Sequence, residues 1–316
     1  MRSFWIAVMI VGASVAAQQP AAPARPPAAQ APPATEIFLA PFVEGEKKTT
    51  RLGFISIQRE GVSVGKPVVN ITNNPGYDNQ PFFLPDSSGL LFSSNRDGKQ
   101  TDIYRYDMAS KTMTQVTHTP ENEYSPTITP DGRTFTAVRG VEQRLWKFGL
   151  DGSDAGLALA HKGLIGYHAW ISPAQVAAFI LGGQGAPNTL ELVDLPTGAS
   201  EVITSSIGRS LHIRPGDKTL SFVHKPQESP WVIKELDPST RQIYEIAPTV
   251  AGSEDLAWTP RGGILMGSRN KLYLWPAGDN HWLEIADLRD AGITAITRLA
   301  VSPDGKWIAI VSTPLK

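Results

Sequence analysis

A chain of 316 residues, 41% hydrophobic and 19% charged, has the makeup of a folded protein rather than a disordered one. Its 29 Lys and Arg balance 30 Asp and Glu, so it lacks the basic excess that tracking nucleic-acid phosphates requires, and no nucleic-acid partner is expected. With no Cys, the chain has no disulfides, thiolate metal sites, cysteine nucleophiles or lipid-bearing N-terminal Cys.

Residues 1–17 hold one cation, Arg2, then an apolar run from Phe4 to Ala13, then the small residues Ser14 to Ala17. This is the order of a secretory signal, and the run is shorter than the roughly 20 residues that cross a bilayer. Cleavage before Gln18, a periplasmic or secreted address and no membrane span thereafter are expected. In residues 18–35, thirteen of eighteen positions are Ala or Pro, which predicts a poorly ordered linker with nothing to bury.

The rest of the chain, 36–316, reads as strands. EIFLAPF at 36–42 and PVVNIT at 67–72 flank an insertion, 43–66, whose RLGFISI segment can add a strand or hairpin. From there one element recurs: an apolar strand, a proline turn and a second apolar strand. Its turn prolines are Pro85, Pro130, Pro173, Pro215, Pro260 and Pro303, at intervals of 45, 43, 42, 45 and 43 residues. Proline presets the second turn position, and Asp and Gly suit the next two, as in Pro130-Asp131-Gly132 and Pro303-Asp304-Gly305. A third strand follows each hairpin, as in DIYRYDM at 102–108, RLWKFGL at 144–150 and TLELVDL at 189–195. WVIKELD at 231–237 and KLYLWPA at 271–277 continue the series, and weaker fourth runs include TQVTH at 114–118, EVITS at 201–205 and QIYEI at 242–246.

Four short antiparallel strands in every 40 to 45 or so residues predict the blade of a β-propeller, here all-β with six blades. The sixth copy holds only two strands before the chain ends, so strands 36–42 and 67–72 are expected to complete it and close the ring.

The run of a proline turn with Asp and Gly, an apolar strand, a polar turn such as NRDG at 95–98, then DIYRYD and QVTH resembles the TolB-like, PD40-type (WD40-like) propeller repeat. That resemblance covers nearly all of 36–313. It implies a six-bladed propeller, export to the periplasm, and binding through the central channel and its rim. The TolB family also carries an α/β domain ahead of its propeller. Here only signal and linker precede Glu36, so a stand-alone propeller is expected.

Aligning the copies on their prolines predicts a ring at one channel mouth. Five residues before each proline stand Gln80, Ser125, His168, Ser210, Asp255 and Arg298, all polar or charged. One step earlier stand Asn79, Tyr124, Tyr167, Arg209, Glu254 and Thr297. Two before each proline stand Phe83, Ile128, Ile171, Ile213, Trp258 and Val301, all apolar and expected to pack between blades. Polar above apolar in every copy is the pattern of a solvated lip over a packed core. Gln80, Ser125, His168, Ser210, Asp255 and Arg298, with Tyr124, Tyr167, Arg209 and Glu254, form the candidate ligand site. Equally, polar residues at strand ends can simply satisfy backbone groups and channel water. Asp255 and Arg298 suit a polar or zwitterionic peptide or sugar, or form a structural ion pair.

His168, His212 and Gln80 invite a divalent-metal reading, but no close ligand spacing such as HExxH supports it, and the expectation is no metal and no cofactor. No G-x-S-x-G elbow or phosphate loop occurs, and Glu123, Glu254 and Asp255 are candidate paired carboxylates of unknown separation. No catalytic residue is assigned. The expected function is a monomeric, non-enzymatic binding or scaffold protein that recognises an envelope protein, a peptide segment or a small polar ligand. The alternative is a hydrolase or lyase acting on a sugar or lactone, with or without a metal.

Overall fold

The computed structural model describes residues 32–52, 55–96 and 98–313. The expected signal, and residues 18–31 of the expected linker, lie outside these.

The described chain is an all-β six-bladed propeller with blades of four antiparallel strands. Its innermost strands are Asp78–Phe83, Glu123–Ile128, Ile165–Ser172, Ile207–Ile213, Leu256–Trp258 and Ile296–Val301, in blades 1 to 6. The third strands anticipated from sequence form at Asp102–Asp107, Arg144–Gly149, Thr189–Asp194, Val232–Leu236 and Lys271–Trp275. The turn chemistry works as the residues dictate. In blade 2 the Gly132 N–H reaches back to the Thr129 carbonyl at 2.9 Å, and Asp131 Oδ1 accepts the Arg133 N–H at 2.9 Å. Gly132 itself has φ +68, a left-handed conformation in which a side chain is strained.

Blade 6 is assembled from both ends of the described chain. Its inner hairpin, Ile296–Val301 and Trp307–Ser312, pairs outward with the N-terminal strand Glu36–Leu52, in the register Glu36↔Ser312 to Pro41↔Trp307. Val69–Asn70 adds the short fourth strand against Phe38 and Leu39. The insertion is a hairpin, because the N-terminal strand runs on past residue 42 to pair with Ile55–Val64. Just ahead of the closing strand, Thr35 bridges to Tyr77 and is buried.

Alternating apolar residues leave each sheet with two buried faces, and the core divides into six clusters, one at each seam between adjacent blades. Phe135 and Phe148 stack at 5.3 Å in the seam of blades 1 and 2. Ile37 and Leu39 meet Leu90, Phe92, Ala309 and Val311 where blade 6 meets blade 1. The apolar ring two residues before the prolines joins these clusters as anticipated, from Phe83 through Val301. Among the described residues no helix is long and apolar enough to cross a membrane.

Candidate functional site

The innermost strands do not start straight. In blades 1, 2, 3, 4 and 6 the pairing register slips at the strand start, at Asn79/Phe82, Tyr124/Thr127, Ile165/Tyr167, Ile207/Leu211 and Ile296/Arg298. Such bulges bend the strand and re-aim side chains. In blades 1 and 2 the bulge residue adopts a left-handed backbone, with φ +59 at Gln80 and +54 at Ser125.

All six aligned lip residues line one central cavity of about 360 Å³, together with Tyr167 and Arg209 of the layer above. Tyr124 and Glu254 stand beside it. Tyr124 packs edge-on against Tyr77 at 6.2 Å, and Glu254 takes ion pairs from Lys225 and, at 3.5 Å, from Arg209.

The lip residues are tied together from blade to blade. Gln80 Oε1 accepts the Ser125 N–H at 2.8 Å, joining blade 1 to blade 2, and Ser125 Oγ donates to the Gly166 carbonyl at 3.3 Å, joining blade 2 to blade 3. Ser210 Oγ accepts the Leu256 N–H at 3.1 Å, and Asp255 Oδ1 accepts the Leu299 N–H at 2.8 Å. Arg298 Nε donates to Asn79 Oδ1 at 3.1 Å and returns the belt to blade 1. His168 turns back instead, its Nε2 lying 2.7 Å from Thr136 Oγ1 of blade 2. Two arginines span the mouth itself: the Arg298 guanidinium lies 4.9 Å over the Tyr167 ring, and Arg209 donates to the Thr297 carbonyl at 2.7 Å. The polarity seen in the alignment therefore serves largely to lock neighbouring blades, the structural role that sequence also allowed.

Burial sets the electrostatics. It holds His168 down at about 3 and His212 at about 4, the latter helped by the Arg298 charge, so both imidazoles are neutral near pH 7. Burial also pushes the Asp255 carboxyl up, while the charges of Arg298 and Arg209 pull it back. Tyr77 is raised, first by burial and then by the neighbouring Tyr167.

The candidate carboxylates of the sequence do not pair at the cavity. Glu123 is fully buried and absent from the cavity wall, and Glu254 is engaged by Lys225 and Arg209. Sequence alignment named His212 but missed the rest of the tier below the lip, where Phe82, Thr127, Trp170, Ala257 and Ala300 line the cavity with it. That tier was legible in principle, since it falls three residues before each proline.

No protein-family profile matches the chain. Among solved structures, a TolB-assigned protein from Agrobacterium tumefaciens superposes with a TM-score of 0.65 at 14% identity, over 90% of this chain and 100% of its own. TolB from Acinetobacter baumannii gives 0.55 at 14% identity over 88% of this chain, which spans 64% of that TolB. An oligogalacturonate lyase in complex with manganese gives 0.55 at 16% identity, over 79% of this chain and 80% of the lyase. Among the described residues no three His, Asp or Glu side chains converge, and His168 and His212 both direct Nε2 to hydroxyls, Thr136 at 2.7 Å and Ser210 at 3.0 Å. At these identities the shared property is architecture: the chain has the TolB-like six-bladed β-propeller fold.

Proposed function

We propose that this is an exported propeller that binds a ligand at its channel mouth, as a monomer and without catalysis. The ligand is a segment of an envelope protein or a small polar molecule. The observation that carries the reading is the convergence of six equivalent polar residues, one per blade, on a single cavity of about 360 Å³, within the usual size of small-molecule sites. The export signal at residues 1–17, the linker of 18–35 and the propeller of 36–316 supply the address, the tether and the receptor.

Affinity capture from envelope extract with the wild-type protein and with an Asp255→Ala, Arg298→Ala double variant tests this. The expected result is a wild-type protein recovered from the periplasmic fraction with Gln18 at its N-terminus, and a partner profile that the double variant loses. Identical profiles would move the site away from the mouth.

A further inference from the structure

The inter-blade belt satisfies most polar atoms of the lip, and the few it leaves open carry chemical information. Three buried atoms there have no hydrogen-bond partner: Asp255 Oδ2, Arg209 Nε and His168 Nδ1. Asp255 and His168 are each only 5% exposed, and both line the cavity. The nearest opposite charges stand 3.5 Å away, Arg298 Nη1 from Asp255 Oδ2 and Glu254 Oε1 from Arg209 Nε, beyond a normal N–H···O bond. Buried groups left without a hydrogen bond are costly, and most native proteins pair them.

Below the lip the cavity keeps two polar side chains on its wall, Thr127 and His212, and is otherwise apolar. Phe82 and Trp170 face it beside the small side chains of Ala257 and Ala300, and Trp258 follows one residue deeper. Phe82 is 37% exposed, a phenyl ring bared on the wall of a channel. The upper cavity thus offers the Asp255 carboxylate, one oxygen of which has an ion pair at 3.5 Å but no hydrogen bond, and guanidinium groups from the two flanking blades, and the lower cavity offers aromatic side chains with room beside them. A simple anion would leave Asp255 Oδ2 without a hydrogen bond, a simple cation would leave Arg209 Nε without one, and an uncharged apolar molecule would leave both so.

We propose that the channel mouth takes a small zwitterion of the α-amino-acid type with an aromatic or branched apolar side chain. Its ammonium group meets Asp255 Oδ2, its carboxylate meets the Arg209 and Arg298 guanidinium groups, and its side chain descends against Phe82 and Trp170. This inference rests on the reading of the mouth as the binding site and specifies which small ligand fits.

Calorimetric titration of the full chain tests it with four probes: L-phenylalanine, N-acetyl-L-phenylalanine, L-phenylalaninamide and glycine. L-phenylalanine should bind, and loss of the ammonium, the carboxylate or the side chain should each weaken binding at least tenfold. Phe82→Ala, at a partly exposed position outside the belt, should keep the fold and weaken L-phenylalanine about tenfold. Equal binding of the acetylated or amidated probe, or no binding of L-phenylalanine, overturns the proposal. The envelope capture separates the two readings. If Phe82→Ala, which leaves the belt intact, loses the captured partners while no probe binds, the mouth stands and only the ligand class falls. If capture is unchanged in this variant and in the double variant, the mouth itself is excluded.

Discussion

Gln80 shows how a single lip residue can be strained and useful at once. A residue preceding proline favours extended backbone, and a non-glycine residue in the left-handed region costs of the order of 1–3 kcal/mol. Gln80 precedes Pro81 and has φ +59, yet its Oε1 accepts both Ser93 Oγ at 2.7 Å and the Ser125 N–H at 2.8 Å. Gln80→Ala should therefore destabilise the protein by about 2–3 kcal/mol in urea unfolding, because it leaves a buried backbone donor of blade 2 to a weaker partner. Gln80→Gly loses the same bonds but accepts the backbone, and should end about 1 kcal/mol more stable than the alanine variant. Sequence alone made Gln80 legible as polar and equivalent to Ser125 and Arg298. It did not reveal that the carboxamide oxygen belongs to the neighbouring blade, since that depends on how far one blade is rotated from the next.

At the scale of strands, the seam between blades 1 and 2 contains an acid pair that the repeat conceals. Asp102 opens the third strand of blade 1, and Glu123 opens the innermost strand of blade 2. Thr117 Oγ1 donates to Glu123 Oε2 at 2.9 Å, the Thr119 hydroxyl donates to the other oxygen, and Arg139 Nε stands at 3.8 Å. Gln100 and Gln115 donate to Asp102 at 2.6 and 3.0 Å. Burial is the main force that lifts Glu123 to about 7. The threonine hydroxyls counter it, and the nearby Asp102 adds to it. An acid whose folded value is raised binds more protons folded than unfolded, so its contribution to stability declines as pH rises from about 4.5 to about 7. Relative to Glu123→Gln, the wild-type melting temperature should fall across that window, and parallel melting curves from pH 5 to 8 would refute the linkage. Proline spacing, β-branched runs and turn residues made most strands legible, whereas 43–66 read only as an extra strand or hairpin and the run of the first strand on to Leu52 was not read. The acid pair was not legible, because each member reads in isolation as a lone acid before an apolar strand.

At the scale of the whole molecule, the ring has no covalent closure. Residues 36–41 and 307–312 hold it through their ladder and through buried Ile37, Leu39, Ala309 and Val311. A staple should show how much depends on that junction. Pro41 and Trp307 face each other across it, and both are partly exposed. The double variant Pro41→Cys, Trp307→Cys would close nearly the entire chain into a loop, for which chain entropy alone gives about 5 kcal/mol, less strain and lost packing. The oxidised form should unfold at higher urea than the reduced form, and with no native Cys to reshuffle, equal midpoints would show that closure does not limit stability. The same junction also imposes an order in time. Blades 1 to 5 are each built from consecutive strands and can pair as they are synthesised, whereas the closing strand of blade 6 is made first and its partner last. Until residues 307–312 emerge, that strand is an unpaired apolar edge exposed to aggregation. A chain cut short before the final hairpin can therefore build five blades but lacks the partner that closes the ring.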